Sequence, residues 1–275
     1  MVLPHPSPLG EEGKGGETSL CKAMNDPILW VLPFIGMTGG FLSGLLGLGG
    51  GVVLLPLLTM AGKVPFKLAV GTTLVQVIIA AATGMLGHYW GGMVDVKVGL
   101  VLGIAGIAGG LMGSILSVHF SVQILEFIFL VVVGVAILLL LVSKRLYDVD
   151  PPRGNFNKLL GSTIGFGVGS LTGLLGVGGG FLIIPLMNYF LHVPLRIAIG
   201  TSLLIILISS VGTLIAKYQI GHIHLPITAL VISGSVIGAL LGAFVSRRAP
   251  VRFLWMALLT ALAAVLITTG YRIFF

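Results

Sequence analysis

The sequence predicts an all-α polytopic membrane protein made of two homologous repeats. Each repeat holds four to five transmembrane segments, eight to ten in total, and each contains a helix broken by glycines. Three observations lead there. Hydrophobic residues make up 56% of the 275 and charged residues only 8%, at a mean hydropathy of +1.15, where a soluble domain carries roughly a quarter charged residues. Apolar stretches of about 20 residues, long enough to span ~30 Å of hydrocarbon, follow one another through the chain. Finally, Gly44-Leu45-Leu46-Gly47-Leu48-Gly49-Gly50-Gly51 returns in the second half as Gly173-Leu174-Leu175-Gly176-Val177-Gly178-Gly179-Gly180.

The context returns with the glycines, at the same offset. Pro56 matches Pro185, Val64-Pro65 matches Val193-Pro194, Lys67 matches Arg196, and Gly71-Thr72-Thr73-Leu74 matches Gly200-Thr201-Ser202-Leu203. Without gaps, positions 44–92 and 173–221 share 18 of 49 residues, which marks a duplication.

Residues 1–27, rich in Pro, Gly and Glu, are expected to form a disordered tail, with Met1 or Met24 as the start of translation. No apolar core follows a basic start, so they do not read as a signal peptide. The first repeat, 28–142, opens with an apolar span from Ile28 to Leu46. Gly47 to Gly51 interrupts it, and Val52 to Ala61 is too short to cross a bilayer alone. Spans from Phe66 to Tyr89, Val96 to Val118 and Val122 to Val142 complete the repeat. A basic linker, 143–158, carries Lys144, Arg145, Arg153 and Lys158. The second repeat, 159–275, follows the same plan: Leu159 to Leu175, the short Phe181 to Leu191, Leu195 to Tyr218, Leu225 to Val245 and Val251 to Gly270. Glycines at 103, 106, 110 and 113, and again at 234, 238 and 242, suit close helix–helix contact in lipid.

Topology depends on the breaks. If each is a true reversal, the repeats are inverted, and nine basic residues (Lys97, Lys144, Arg145, Arg153, Lys158, Arg196, Arg247, Arg248, Arg252) face five across the membrane. If each is a kink, the repeats are parallel and the division is eight to six. The positive-inside rule favours the reversal with both termini outside.

A glycine break in an apolar span survives only where protein or a water-filled cavity satisfies the freed backbone groups. A short helix that starts after such a break exposes unpaired N–H groups carrying partial positive charge, which favours an anion. The candidate binding residues are therefore Gly49, Gly50 and Gly51 with Gly178, Gly179 and Gly180. Thr72, Thr73, Thr201 and Ser202 add hydroxyl donors at matching positions. The other reading of both features is packing, with hydroxyls bonded to the preceding turn. A bulky side chain at Gly50 or Gly179 is expected to abolish transport without preventing insertion.

Lys67 and Arg196 could attract anions toward the site or snorkel toward headgroups. Glu126 lacks an acidic counterpart, since Trp255 stands at the matching position; an interfacial, solvated carboxylate is the expectation, ahead of proton coupling. His88 beside Tyr89 and Trp90 reads as an interfacial aromatic belt, and His222 with His224 as a polar turn. Gln76 and Asn188 are embedded amides with no matching amide in the other repeat, each readable as a specificity contact or as an interhelical hydrogen bond.

The lone cysteine, Cys21, excludes an internal disulfide and a cysteine-based metal cluster. The net charge of +7 is spread over short loops with no continuous basic face, so no nucleic-acid partner is expected. No Ser/His pair, Asp pair or His-Glu-x-x-His motif lies in the spans, and the glycine cluster lacks the Lys-(Ser/Thr) of a phosphate-binding loop. The chain therefore reads as no enzyme, with no cofactor and no metal. A secondary transporter of a small anion is the leading reading, and an anion channel using the same site is the alternative.

The Gly-Leu-Leu-Gly-(Leu/Val)-Gly-Gly-Gly break, the proline five residues later and the Val-Pro-x-(Lys/Arg)-x-Ala-(Val/Ile)-Gly-Thr-(Thr/Ser)-Leu run occur in both halves. Together they resemble the sulfite exporter TauE/SafE family over residues 28 to about 270. The resemblance implies a permease for sulfite, organosulfonates or related small anions, in a bacterial or archaeal inner membrane. It also implies coupling to an ion such as a proton or sodium.

Overall fold

The computed structural model describes residues 28–60, 64, 66–142, 157–219 and 225–274. The expected N-terminal tail, the alternative start at Met24, most of the linker and the His222–His224 turn lie outside them. Among the described residues ten helices and no strands are found: α1 (Ile28–Leu46), α2 (Gly51–Met60), α3 (Phe66–Tyr89), α4 (Val96–Ser117), α5 (Val122–Val142), α6 (Lys158–Leu175), α7 (Gly180–Phe190), α8 (Leu195–Gln219), α9 (Leu225–Arg248) and α10 (Val251–Phe274). Seven, α3 to α6 and α8 to α10, are long and apolar enough to cross a membrane. The protein is thus a multi-pass membrane protein, all-α among its described residues.

Glycine spacing sets how closely these helices approach. Gly36, Gly40 and Gly44 of α1 rest against the backbone of Val231, Ser235 and Ala239 of α9; Gly234, Gly238 and Gly242 of α9 return the contact to Pro33, Met37 and Phe41. A Cβ at any of these glycines would collide with a backbone carbonyl across the interface, which is the close approach that small residues permit between helices in lipid. α6 and α4 pack in the same way. Gly165, Gly169 and Gly173 meet Leu102, Gly106 and Gly110, while Gly109 and Gly113 meet Phe166 and Ser170.

Helix directions follow from the same contacts. Along α1 and α9 both numbers rise together, so the two run parallel. α3 runs with α9, since Thr72 pairs with Thr228, Gln76 with Ser235 and Gly87 with Ala243. α8 runs with α4, through Gly99–Leu204, Gly103–Ile208 and Gly110–Thr213. α3 and α8 run opposite ways: Gly84 meets Leu203 while His88 meets Gly200. Two sets of parallel helices therefore lie antiparallel to each other, α1, α3 and α9 against α4, α6 and α8.

The parallel course of α1 and α3 forces α2 to turn back between them, and packing agrees: Gly50 and Leu54 both touch Gly39 of α1. α7 likewise turns back on α6, with Gly179 against Val168 and Thr172. Each glycine break is a reversal. The helix ends that bear Lys97, Lys158, Arg196, Arg247, Arg248 and Arg252 gather on one side, six of the nine basic residues expected to share it.

α3 and α8 form the centre, and α5 and α10 form the rim. Within the most apolar 18-residue stretch of each helix, 67% of residues are buried in α8 against 28% in α5 and 22% in α10, so the last two present most of their surface to lipid.

Candidate functional site

The two reversals meet inside the protein. A Cβ on Gly51, the first residue of α2, would strike the carbonyl of Val177 in the second break; one on Gly180, the first residue of α7, would strike the carbonyl of Gly47 in the first. Gly47, Gly49 and Gly50 have φ of 70°, 77° and 77°, and Gly176 and Gly178 have 69° and 71°. These are left-handed values that side chains resist, which explains glycine at both corners.

α2 and α7 thus begin at one junction. At the start of α7 the N-cap is Gly179, which has no side chain to accept from the first amides. Gly50 and Gly179 instead contribute carbonyls, to the Leu54 and Ile183 amides at 2.9 and 3.0 Å. Helix N-termini left without side-chain caps keep their donors available for an anion.

All ten candidate binding residues are buried. The six glycines Gly49, Gly50, Gly51, Gly178, Gly179 and Gly180 lie at the junction itself. Of the four hydroxyls, Thr73 and Ser202 reach the breaks, while Thr72 and Thr201 bond to α9 and to the turn before α4, so the four form no free donor cage. Thr73 donates to the carbonyls of Val70 (2.9 Å) and Gly176 (3.4 Å), and Ser202 to those of Ile199 (2.7 Å) and Gly47 (2.8 Å). Each therefore braces the opposite break. Thr72 shares a 3.3 Å hydrogen bond with Thr228, and Thr201 accepts from the Asp95 amide at 2.9 Å. Asp95 in turn caps α4 through the amides of Lys97 and Val98.

Two side chains that sequence reading passed over close the junction. Methyl groups of Val77 on α3 and Ile206 on α8 lie 3.2 Å from where a Cβ on Gly49 would stand. Val77 also packs on Gly51 and Gly178, and Ile206 on Gly180. Both side chains are fully buried, with Ala81 and Leu203 beside them. Val77 follows Gly51 at the spacing by which Ile206 follows Gly180, and that match was the available signal.

Arg196 lies away from the junction. Its guanidinium donates to the carbonyls of Arg247 (2.8 Å) and Ala249 (2.6 Å), capping the C-terminus of α9, where carbonyls lack helical partners and the dipole favours a cation. The side chain of Lys67 lies outside the described residues. His88 departs from the expected aromatic belt: it is buried, its Nε2 is 2.9 Å from the Gly44 carbonyl oxygen, and only Tyr89 and Trp90 reach the surface. Asn188 donates to the Val193 carbonyl at 3.0 Å, closing the turn after α7. Glu126 lines a small pocket of about 30 Å³ together with Thr59, Thr268 and, from the second break, Leu175 and Val177.

Comparison with known proteins follows the same lines. The family model described as "Sulfite exporter TauE/SafE" matches residues 32–269. "Probable membrane transporter protein YunE" of Bacillus subtilis is 28% identical over 79% of this chain and 88% of that protein. "Probable membrane transporter protein YdhB" of the same organism is 27% identical over 74% and 84%. "Probable membrane transporter protein MJ0441" of Methanocaldococcus jannaschii is 25% identical over 80% and 87%. No solved structure matches the chain. With apolar spans throughout, two glycine reversals and a match covering nearly all of them, the chain belongs to the sulfite exporter TauE/SafE family of membrane transporters.

Proposed function

We propose that this chain is a secondary transporter of a small anion such as sulfite or an organosulfonate, bound where α2 and α7 begin. The carrying observation is the meeting of two buried helix N-termini at one junction. Each contributes roughly half an elementary positive charge, and the two together attract an anion without the cost of a buried ionised side chain. Half-helix ends placed at a repeat interface are a recurring transporter device.

In this reading the halves are inverted repeats, in keeping with the antiparallel course of α3 and α8 and the exchange of partners between α1–α9 and α6–α4. They rock against each other to expose the junction to one side and then the other. Val77 and Ile206 must part for a ligand to enter, which favours alternating access over an open channel. The basic helix ends mark the cytoplasmic side of the inner membrane, and a proton or sodium gradient supplies the driving force.

Purified protein in liposomes, loaded with unlabelled sulfite and offered labelled sulfite, tests the proposal. Saturable uptake with counterflow is expected, and its dependence on imposed proton or sodium gradients identifies the coupling ion. Linear flux without counterflow marks a channel. No flux of sulfite, sulfonates or short carboxylates overturns the substrate class.

A further inference from the structure

The two breaks share a backbone plan but differ in polarity. Gln76, on α3, is fully buried. Its Nε2 donates to Ser235 Oγ on α9 at 2.7 Å, while its Oε1 has no hydrogen-bond partner in the protein. A Cβ on Gly50, the residue before α2, would lie 3.1 Å from that Nε2, so the amide is set against the N-terminal end of α2. Ser43 belongs to the same corner, its carbonyl accepting from the Gly47 amide at 2.8 Å. Its hydroxyl is also fully buried and without a partner.

The second break carries neither orphan. With the two glycine clusters aligned, Ile205 takes the place of Gln76 and Gly106 that of Ser235. Thr172 takes the place of Ser43, and its hydroxyl is satisfied by the Val168 carbonyl at 2.9 Å.

An unsatisfied buried polar group costs about 1–3 kcal/mol, and folded proteins hold few of them. An aliphatic residue at position 76 would avoid that cost, as Ile205 does in the other half. What Gln76 adds is a carbonyl and an NH₂ on one side chain, beside amides that already favour an anion. Ser235 can accept from the NH₂ or donate to the carbonyl, so either end of the amide can be turned toward a ligand.

We propose that the Gln76 amide, held by Ser235, contacts the ligand at the first break, so that an oxyanion seats on the α2 end and not evenly between the two. Gln76 donates to an ionised oxygen of the anion or accepts from a protonated one. This rests on the anion site proposed above and assigns its recognition to one half.

The test uses the full chain in detergent and follows thermal unfolding with sulfite, methanesulfonate and acetate as probes, which stabilise by mass action where they bind. The probe that stabilises wild type should bind Gln76→Met at least about tenfold more weakly, the loss expected for a hydrogen bond to a charged group. Ile205→Met, at the matching position of the second break, should change affinity by less than about threefold, as a volume-conserving swap does. Without any probe, Gln76→Met/Ser235→Ala should melt at or above the wild-type temperature, because a buried orphan is removed. Equal affinity in wild type and Gln76→Met overturns the inference while leaving the anion site standing. A double variant that melts well below wild type without probe also overturns it, making the amide a structural tie. If no probe shifts wild type, the anion site falls and this inference with it.

Discussion

The hydroxyl of Ser202 donates to the carbonyl of Gly47 at 2.8 Å, across 155 residues of chain. Thr73 makes the matching bond to Gly176 at 3.4 Å. A carbonyl inside a glycine reversal has no helical donor, and in lipid no water replaces one. A hydroxyl one helix away supplies the partner, so each half's reversal is held by the other half's third helix.

Ser202→Ala should therefore lower stability by about 1–2 kcal/mol, the value of a buried hydrogen bond whose acceptor is left unpaired. Thr73→Val, which removes a longer bond, should cost less. Thermal unfolding in detergent gives both values, and anion affinity in the surviving protein separates bracing from ligand contact. Weakened affinity at unchanged stability would return these hydroxyls to the role of anion donors.

Glycine substitutions should divide by what surrounds them. Gly51→Ala and Gly180→Ala push a methyl onto the Val177 and Gly47 carbonyls, and neither helix start can retreat without parting the junction. Both variants should fail to accumulate as folded protein, judged by monodisperse elution after solubilisation. Gly134→Ala, on α5 with nothing within 4 Å of its new Cβ, should be neutral or gain up to about 1 kcal/mol from helix propensity. Gly50→Leu and Gly179→Leu, expected to insert without transporting, should lose packing as well. Gly50 sits at φ 77° against the Gly39 carbonyl, and Gly179 against Val168 and Thr172, so a leucine at either position disrupts packing as well as any site.

Val77 and Ile206 cover the helix starts, and their size should control passage. Val77→Ala with Ile206→Val removes volume at the cover and should raise anion leak in liposomes, at a stability cost of a few kcal/mol. Val77→Phe should cut saturable flux by at least about tenfold, because the ring has no room to swing from the junction. Flux unchanged in both directions would show that ligand does not pass between these two side chains.

Arg196→Gln should lose two hydrogen bonds to the end of α9 and about 1–3 kcal/mol of stability, with anion affinity and its salt dependence unchanged. A weaker affinity that recovers at low ionic strength would restore the attraction role, since exposed charges act through a field that salt screens.

Much of this architecture could be read from the chain because it depends on periodicity. Apolar length fixed the spans, and Gly47 to Gly51 and Gly176 to Gly180 fixed the corners, since left-handed backbone needs glycine. What Thr73, Ser202 and Arg196 do was not legible. A hydroxyl or guanidinium reads the same in sequence whether it faces a ligand or a carbonyl, and beyond the bonds that Thr73 and Ser202 make to their own preceding turn, the carbonyls that these side chains brace lie 51 to 155 residues away. Val77 and Ile206 were hidden for another reason: a valine and an isoleucine in an apolar helix carry no mark of what they cover. His88 was misplaced by its neighbours, because exposed Tyr89 and Trp90 suggest an interface while the residue just before them turns inward.

The reversals themselves yield the last prediction. If α2 and α7 return toward the side their preceding helices came from, the turn after α3 and the turn after α7 share a face, and the turn between α4 and α5 lies on the other. With Cys21 replaced by serine, single cysteines at Trp90, 75% exposed, and at exposed His192 should react with a membrane-impermeant maleimide from the same side of oriented vesicles. A cysteine at His119, between α4 and α5, should react only from the opposite side. Kinked, non-reversing breaks would carry α6 and α7 across the membrane as one span, which places Trp90 and His192 on opposite faces. The positive-inside rule adds a direction to the expected pattern: Trp90 and His192, beside the helix ends rich in Lys and Arg, should be the pair protected in intact cells. Labelling of His119 alone in intact cells, with Trp90 and His192 reached only after the membrane is opened, establishes both the reversals and the orientation.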